Sequence, residues 1–310
     1  MEAGIDLELI NCLDISLRYF RATRFGIISD VTSVLSGIYG MSNVAVYDNY
    51  AARLTNGGEL SVGWHQDFGD FRAGVRASAM SWELTNTRVV ADFYEYDYQK
   101  LTGAVSDAIW GLECIGRYET QEQLETLPKY SEGAQLGDLI YRDRNNDGKV
   151  DVNDRVIIGH SSPRLRYAVN LQFGWKGLEL NVTGTGRAFC QTVMNNEWFW
   201  NGWGDGNYST FVRDNIGGAY PRLGYEKSTN NFVTSSFWVK NSGWFKIQDV
   251  ELAYGWKFPK GALKGLRVSL RGNNLCTISP VKDVDPECID SGVTTYPLFR
   301  TFTAGVKLNF

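Results

Sequence analysis

The last ten residues alternate without a break. Phe302, Ala304, Val306, Leu308 and Phe310 are apolar, while Thr301, Thr303, Gly305, Lys307 and Asn309 are small, polar or charged. Successive side chains of a strand point to opposite faces, so this period of two specifies a strand with one greasy and one wet face. The pattern returns upstream. Leu165, Tyr167, Val169, Leu171, Phe173 and Trp175 alternate with Arg166, Ala168, Asn170, Gln172 and Gly174. Leu266, Val268 and Leu270 alternate with Arg267, Ser269 and Arg271, and Leu13, Ile15, Leu17 and Tyr19 with Asp14, Ser16 and Arg18. Nine strands are predicted, at 3–10, 13–24, 57–66, 70–82, 164–175, 177–187, 244–257, 265–275 and 298–310.

The connections alternate as well. Those at 10–13, 66–70, 175–178 and 257–265 are short, and those at 25–56, 83–163, 188–243 and 276–297 are long. A meander with short turns at one end and long loops at the other is the pattern of a transmembrane β-barrel. Strands running toward the short-turn end finish on Trp64, Trp175, Trp256 and Phe310, all on the apolar face, where an interfacial aromatic belt belongs. A soluble β-sandwich also alternates, but it does not call for so charged a second face or for long loops at one end alone.

Composition narrows the class. The chain has 310 residues with a formal net charge of −4, so no basic footprint points to nucleic acid. No apolar run approaches the ~18–20 residues of a membrane-spanning helix. Neither a signal-peptide pattern nor a repeat is visible. Aromatics make up 14% and glycines number 33, which suits many strands and turns. Within 83–163, Thr120 and Gln123 fit a capping box, with Leu124 and Leu127 on one face and Pro128 as the stop, which predicts a short helix.

Three features could carry chemistry. Asp143, Asn145, Asp147, Asp151 and Asp154 occupy positions 1, 3, 5, 9 and 12 of an EF-hand-like loop, with Gly148 at 6 and the Lys149 carbonyl at 7. These six ligands suit a structural Ca2+. The competing reading is a metal-free acidic loop built of Asx-turns. Second, Trp198, Phe199, Trp200, Trp203 and Tyr208 are interleaved with Asn201, Asp205 and Asn207. Such rings either stack on a substrate such as a sugar or anchor a lid or partner protein. Third, Cys276 and Cys288 flank the last long loop and could close it in an oxidising compartment. His65 and His160 lack a nucleophile context, and Gly184-Thr185-Gly186 lies within a strand, where glycine marks a bulge or close packing. An enzyme is not expected. The sequence alone leaves two readings: a barrel wall, or a soluble calcium-stabilised β-rich carbohydrate-binding module.

Several segments together resemble SusC/RagA-type TonB-linked outer-membrane transporters. They are Gly137 to Asp143, Asp147 to Asp151, Asn153 to Gly159 with Pro163, Arg271 to Leu275, Asp283 to Pro286, and Tyr296 to Phe310. Asn56-Gly57-Gly58-Glu59-Leu60 resembles a further family segment, with Gly57 where lysine is usual. The resemblance implies an all-β, antiparallel transmembrane barrel of about 22 strands with an N-terminal plug. It implies import of oligosaccharides or peptides across the outer membrane of a Bacteroidetes-like Gram-negative bacterium. It also implies a SusD-like surface lipoprotein as lid, energy from TonB–ExbB–ExbD, contact with outer-membrane lipid, and Phe310 as the terminal aromatic read by barrel-assembly machinery. Residues 1–310 are then expected to form a C-terminal, plug-less part of such a barrel, with 137–160 as an acidic loop in an extracellular segment.

Overall fold

Short turns set the register of the main sheet. Ile10 and Asn11, with φ of 56° and 55°, lead from β1 (Glu2–Leu9) into β2 (Leu13–Asp30). Gly69, with φ of 66°, opens the two-residue turn between β3 (Tyr47–Phe68) and β4 (Phe71–Arg88). The computed structural model describes residues 1–34, 44–90, 94–196, 198–200, 209–215, 218, 220–223, 228–282, 284–289, 296 and 298–310. Four short strands follow in the next long connection: β5 (Ala108–Gly111), β6 (Cys114–Arg117), β7 (Leu139–Tyr141) and β8 (Val156–His160). Next come β9 (Leu165–Trp175) and β10 (Leu178–Ala188). They are joined by Lys176 and Gly177 at φ of 47° and 92°, the two left-handed residues of a type I′ hairpin. Two more short strands, β11 (Gln191–Val193) and β12 (Val239–Asn241), precede β13 (Trp244–Lys257), β14 (Gly265–Ile278) and β15 (Thr301–Asn309).

Among the described residues the nine long strands form one antiparallel sheet in the order β1-β2-β3-β4-β9-β10-β13-β14-β15. These are the nine strands expected, in meander order. Register carries the alternation from strand to strand. Leu7 lies opposite Ile15, Ile15 opposite Val62, Val62 opposite Ala77, Ala77 opposite Val169, and Leu180 opposite both Phe173 and Leu252. One continuous apolar face results, and no second layer of described residues covers it: Ile5 is 58% exposed, Leu270 60% and Val306 69%. A water-soluble sandwich would bury that face, because soluble monomers rarely expose apolar patches beyond a few hundred Å². Hydrocarbon is the medium that satisfies it, so the sheet is wall from a transmembrane barrel. From Trp175 to Tyr167, eight steps of ~3.3 Å run about 26 Å along the strand. A ~40° tilt reduces that to about 20 Å, close to the ~25 Å band of outer-membrane barrels.

The expected aromatic belt is in place at the short-turn end. Rings of Trp64 and Phe68, Phe68 and Phe71, and Phe71 and Phe173 follow one another at 6.4 Å, and Trp256 packs on Tyr254 at 4.4 Å. On the opposite face, charges pair across strands: Arg267 with Glu179 and Glu251 at 2.5 and 2.9 Å, and Arg271 with Asp249 at 2.5 Å. The two glycines in β10 are explained by close packing. Thr183/Gly184 is a bulge against β13, and the Tyr167 and Phe245 rings, stacked at 6.0 Å, lie over Gly186 and Gly184.

Three expectations need correction. Half of the connection at 25–56 is strand, because β2 continues to Asp30 and β3 begins at Tyr47. Above the apolar band the outward residues, such as Arg21 and Thr23, turn polar, and a register shift near Gly26 breaks the period of two. The long loop at 83–163 holds more than the one short helix expected, and strands pair in the loop at 188–243 as well. β5 pairs with β8, β6 with β7 and β11 with β12. Finally, all five cysteines are free thiols, so Cys276 and Cys288 do not close the last loop. The predicted short helix is present as α1 (Gln121–Thr126), with Thr120 and Gln123 forming the capping box.

Candidate functional site

The acidic loop folds around its own backbone. The Asp143 carboxylate accepts from the N–H groups of Asn146 and Gly148 at 2.6 and 2.8 Å, and those two residues take left-handed φ of 60° and 87°. The Asn145 side-chain oxygen accepts from Asp147 N–H, and Asp147 from Lys149 N–H. Asp151 accepts from Asn153 N–H at 2.7 Å. Asp154, 1% exposed, accepts from the N–H groups of Arg144 and Asp151 at 2.6 and 2.7 Å. The Tyr98 hydroxyl donates to the Asn153 carbonyl and pins the loop from outside. Burial, followed by the Asp154 charge, pushes the Tyr98 hydroxyl's pKa up. Among the described residues no three His, Cys, Asp or Glu side chains gather into a metal-binding group. In this arrangement the six predicted ligand residues share one loop, and the side-chain oxygens of Asp143, Asn145, Asp147, Asp151 and Asp154 serve backbone donors.

The aromatic cluster is largely interior. Phe199, Val212, Tyr220, Trp238 and Ile289 form a buried core at the long-loop end, and Trp198 and Trp200 are half-buried on its flank. Trp200 lies 6.0 Å from Trp238 and 6.1 Å from Phe232, and Phe199 meets Phe211 edge-on at 4.9 Å. The indole N–H groups of Trp198 and Trp200 are buried with no partner among the described residues. Trp203 and Tyr208 lie outside the described residues.

A buried polar clamp, invisible in the linear sequence, locks two long loops together. Asn231 accepts from the Leu139 N–H at 2.9 Å and Asn230 donates to the Leu139 carbonyl at 2.8 Å, as a neighbouring strand would. Tyr141 donates to the Asn230 carbonyl and Trp238 to that of Asn231. Fully buried Asp138 takes Arg222 at 2.9 Å and the Asn231 amide at 2.8 Å. The charged face of the sheet holds a cavity of about 680 Å³, lined among others by Arg18, Glu59, Arg166, Arg187, Trp244 and Glu287. The alternation marks several of these as polar-face residues, but only register makes them neighbours.

No family model matches the chain. The curated TonB-dependent receptor P26 of Formosa agariphila is 23% identical over 355 aligned positions, covering 98% of this chain and 34% of that receptor. The TonB-dependent receptor P3 of the same organism is 22% identical over 245 positions, covering 67% of this chain and 22% of that receptor. The solved RagAB peptide importer in its closed-closed state superposes with a TM-score of 0.73 at 18% identity, over 100% of this chain and 35% of that one. The chain is similar in sequence to TonB-dependent receptors and shares the fold of about a third of the RagAB importer chain. It spans about a third of the length of the first of these relatives. In such a wall the short turns face the periplasm and the long loops the exterior. The acidic loop, the aromatic core and the asparagine clamp lie at the long-loop end of the sheet, and the cavity lies on its charged face.

Proposed function

We propose that this chain is part of the barrel of an outer-membrane nutrient importer in a Gram-negative bacterium, taking up oligosaccharides or peptides. The observation that carries this reading is the two-faced sheet: an uncovered apolar face with an aromatic belt outside, and an ion-paired face inside. In this proposal the partners are a SusD-like surface lipoprotein over the long-loop end and TonB–ExbB–ExbD, reached through parts of the transporter beyond these residues. The aromatic core under Trp198 and Trp200, whose indole donors have no partner among the described residues, supports a docking rim for solute or lid at that end. Calcium at 143–154 belongs to the same proposal, supported by the ligand spacing. Binding would draw the carboxylates of Asp143, Asp147, Asp151 and Asp154 together in place of some N–H partners. Titration calorimetry at millimolar calcium tests it, and absence of heat would remove the metal.

The import reading is tested in cells. Outer-membrane fractionation should recover the transporter there, and deletion of its gene should abolish growth on the oligosaccharide or peptide it takes up. In the full-length protein, Val169→Arg and Leu180→Arg should impair membrane insertion, since both side chains point outward. Recovery of this chain as a folded, detergent-free monomer would overturn the reading in favour of a soluble module.

A further inference from the structure

The lumenal cavity contains an electrostatic arrangement that the fold does not need. Arg166 on β9 and Arg187 on β10 are directly opposed in register, both on the inward face and both lining the cavity. Like charges in directly opposed positions, with Cβ atoms ~4.5–5.5 Å apart, disfavour strand pairing. Elsewhere on this face, opposite charges meet across strands. The other charged residues of the cavity have counterparts. Glu59 sits across from Arg18, and Glu287 lies 2.5 Å from Lys246, which also holds Asp285 at 3.0 Å. Among the described residues, neither Arg166 nor Arg187 has a carboxylate at ion-pair distance.

Both guanidiniums are nonetheless held in place. Arg187 donates to the carbonyls of Ser242 and Pro286 at 3.2 and 2.8 Å and lies 5.9 Å from the Trp244 ring centre. Arg166 rests on Trp82 at 5.1 Å. Two positioned forks in one cavity, without a carboxylate partner among the described residues, are suited to planar oxyanion recognition: Arg187 keeps its Nη1–Nη2 edge free for two parallel N–H bonds, since its Nε and one Nη2 N–H serve the two carbonyls. Resting on the import reading above, we propose that Arg166 and Arg187 form an anion subsite in the lumen mouth that binds a carboxylate group of the transported solute. The carboxylate would come from a uronate oligosaccharide or from a peptide.

The test uses the full-length transporter purified in detergent, with two probe pairs. The first is tetragalacturonate and its methyl ester. The second is tetra-alanine as the free acid and as the C-terminal amide. The acid of one pair should bind about tenfold tighter or more than its neutral partner, the scale of a charge-assisted fork, and the preference should shrink with salt. The pair that shows it identifies the source. The Arg166→Gln/Arg187→Gln double variant should lose the preference and keep the neutral ligand's affinity, while Arg187→Lys should retain part of it. If wild type binds acid and neutral forms equally, or if the double variant keeps the preference, the subsite is refuted. Equal binding by wild type refutes it even where the double variant fails to fold. Acid preference intact in a protein that supports no uptake would sink the import reading and leave the subsite standing.

Discussion

Gly186 shows how tightly single positions are set. A Cβ there would lie 2.4 Å from Tyr167 Cζ and 2.8 Å from the Trp244 carbonyl oxygen. The ring can swing away but the carbonyl cannot. Gly186→Ala should therefore destabilise the folded barrel by about 1–3 kcal/mol, read as a lower urea midpoint. Adding Tyr167→Ala should recover only part of the loss. Asp138 is 0% exposed and its partner Arg222 28%. Asp138→Ala strands a partly buried guanidinium and two amide donors, and should cost about 3 kcal/mol in loop stability. Asp107 gives a pH signature. Burial alone would raise its pKa, but Arg164, bonded at 3.0 Å to both oxygens, and the Ser162 N–H outweigh burial and hold the carboxyl below its ordinary value. A depressed carboxyl stabilises above its unfolded pKa of ~3.9, and the contribution disappears as pH falls through the lower folded value. Amide-exchange protection of β5 and β8 should drop between pH 4 and more acid conditions, and Asp107→Asn should show the loss already at pH 7. The contacts of Gly186 with Trp244, Asp138 with Arg222 and Asp107 with Arg164 are not legible in the sequence, because each joins residues dozens of positions apart.

Strands were the most legible elements, and their limits show why. Between Leu13 and Tyr19 the lipid requires every second side chain to be apolar, so β2 declares itself. Beyond Tyr19 both faces meet water, the requirement lapses, and the strand runs past its predicted end at 24 to Asp30. This predicts a depth-dependent response. Leu180→Arg, within the apolar band of β10, should cost about 2–4 kcal/mol of folding in bilayers. Thr23→Arg, outward on the same sheet but above the band, should stay within ±0.5 kcal/mol. Vesicle refolding titrations compare the two directly. α1 was legible for a different reason: its capping box is local, with Thr120 accepting from the Gln123 N–H and the Gln123 side chain from that of Thr120. The short strands β5 to β8 have no such local signature. They pair across the loop, and β7, with Cys114 of β6 against it, buries into a core around Leu112, Leu139 and Tyr141.

At the scale of the molecule, the sheet has two edges. Among the described residues β1 pairs with β2 alone and β15 with β14 alone. Edge N–H and C=O groups left open in hydrocarbon cost several kcal/mol each, so this nine-strand wall needs further strands at both edges to sit in a bilayer. Residues 1–310 expressed without the rest of the transporter should fail to insert and show no heat-modifiable band on gels, whereas the full-length protein should show one. The sequence by itself determined the number and order of the wall strands, which face meets lipid, and which end carries the loops. These follow from side-chain alternation, a consequence of strand geometry and solvent that acts residue by residue. Only the tertiary structure decided what the loops do and what the lumen presents. The asparagine clamp on Leu139, the burial of Phe199 beneath Trp198 and Trp200, and the reach of Arg187 to the Ser242 and Pro286 carbonyls depend on contacts between distant segments. Register and loop packing set those contacts, and no local pattern encodes them.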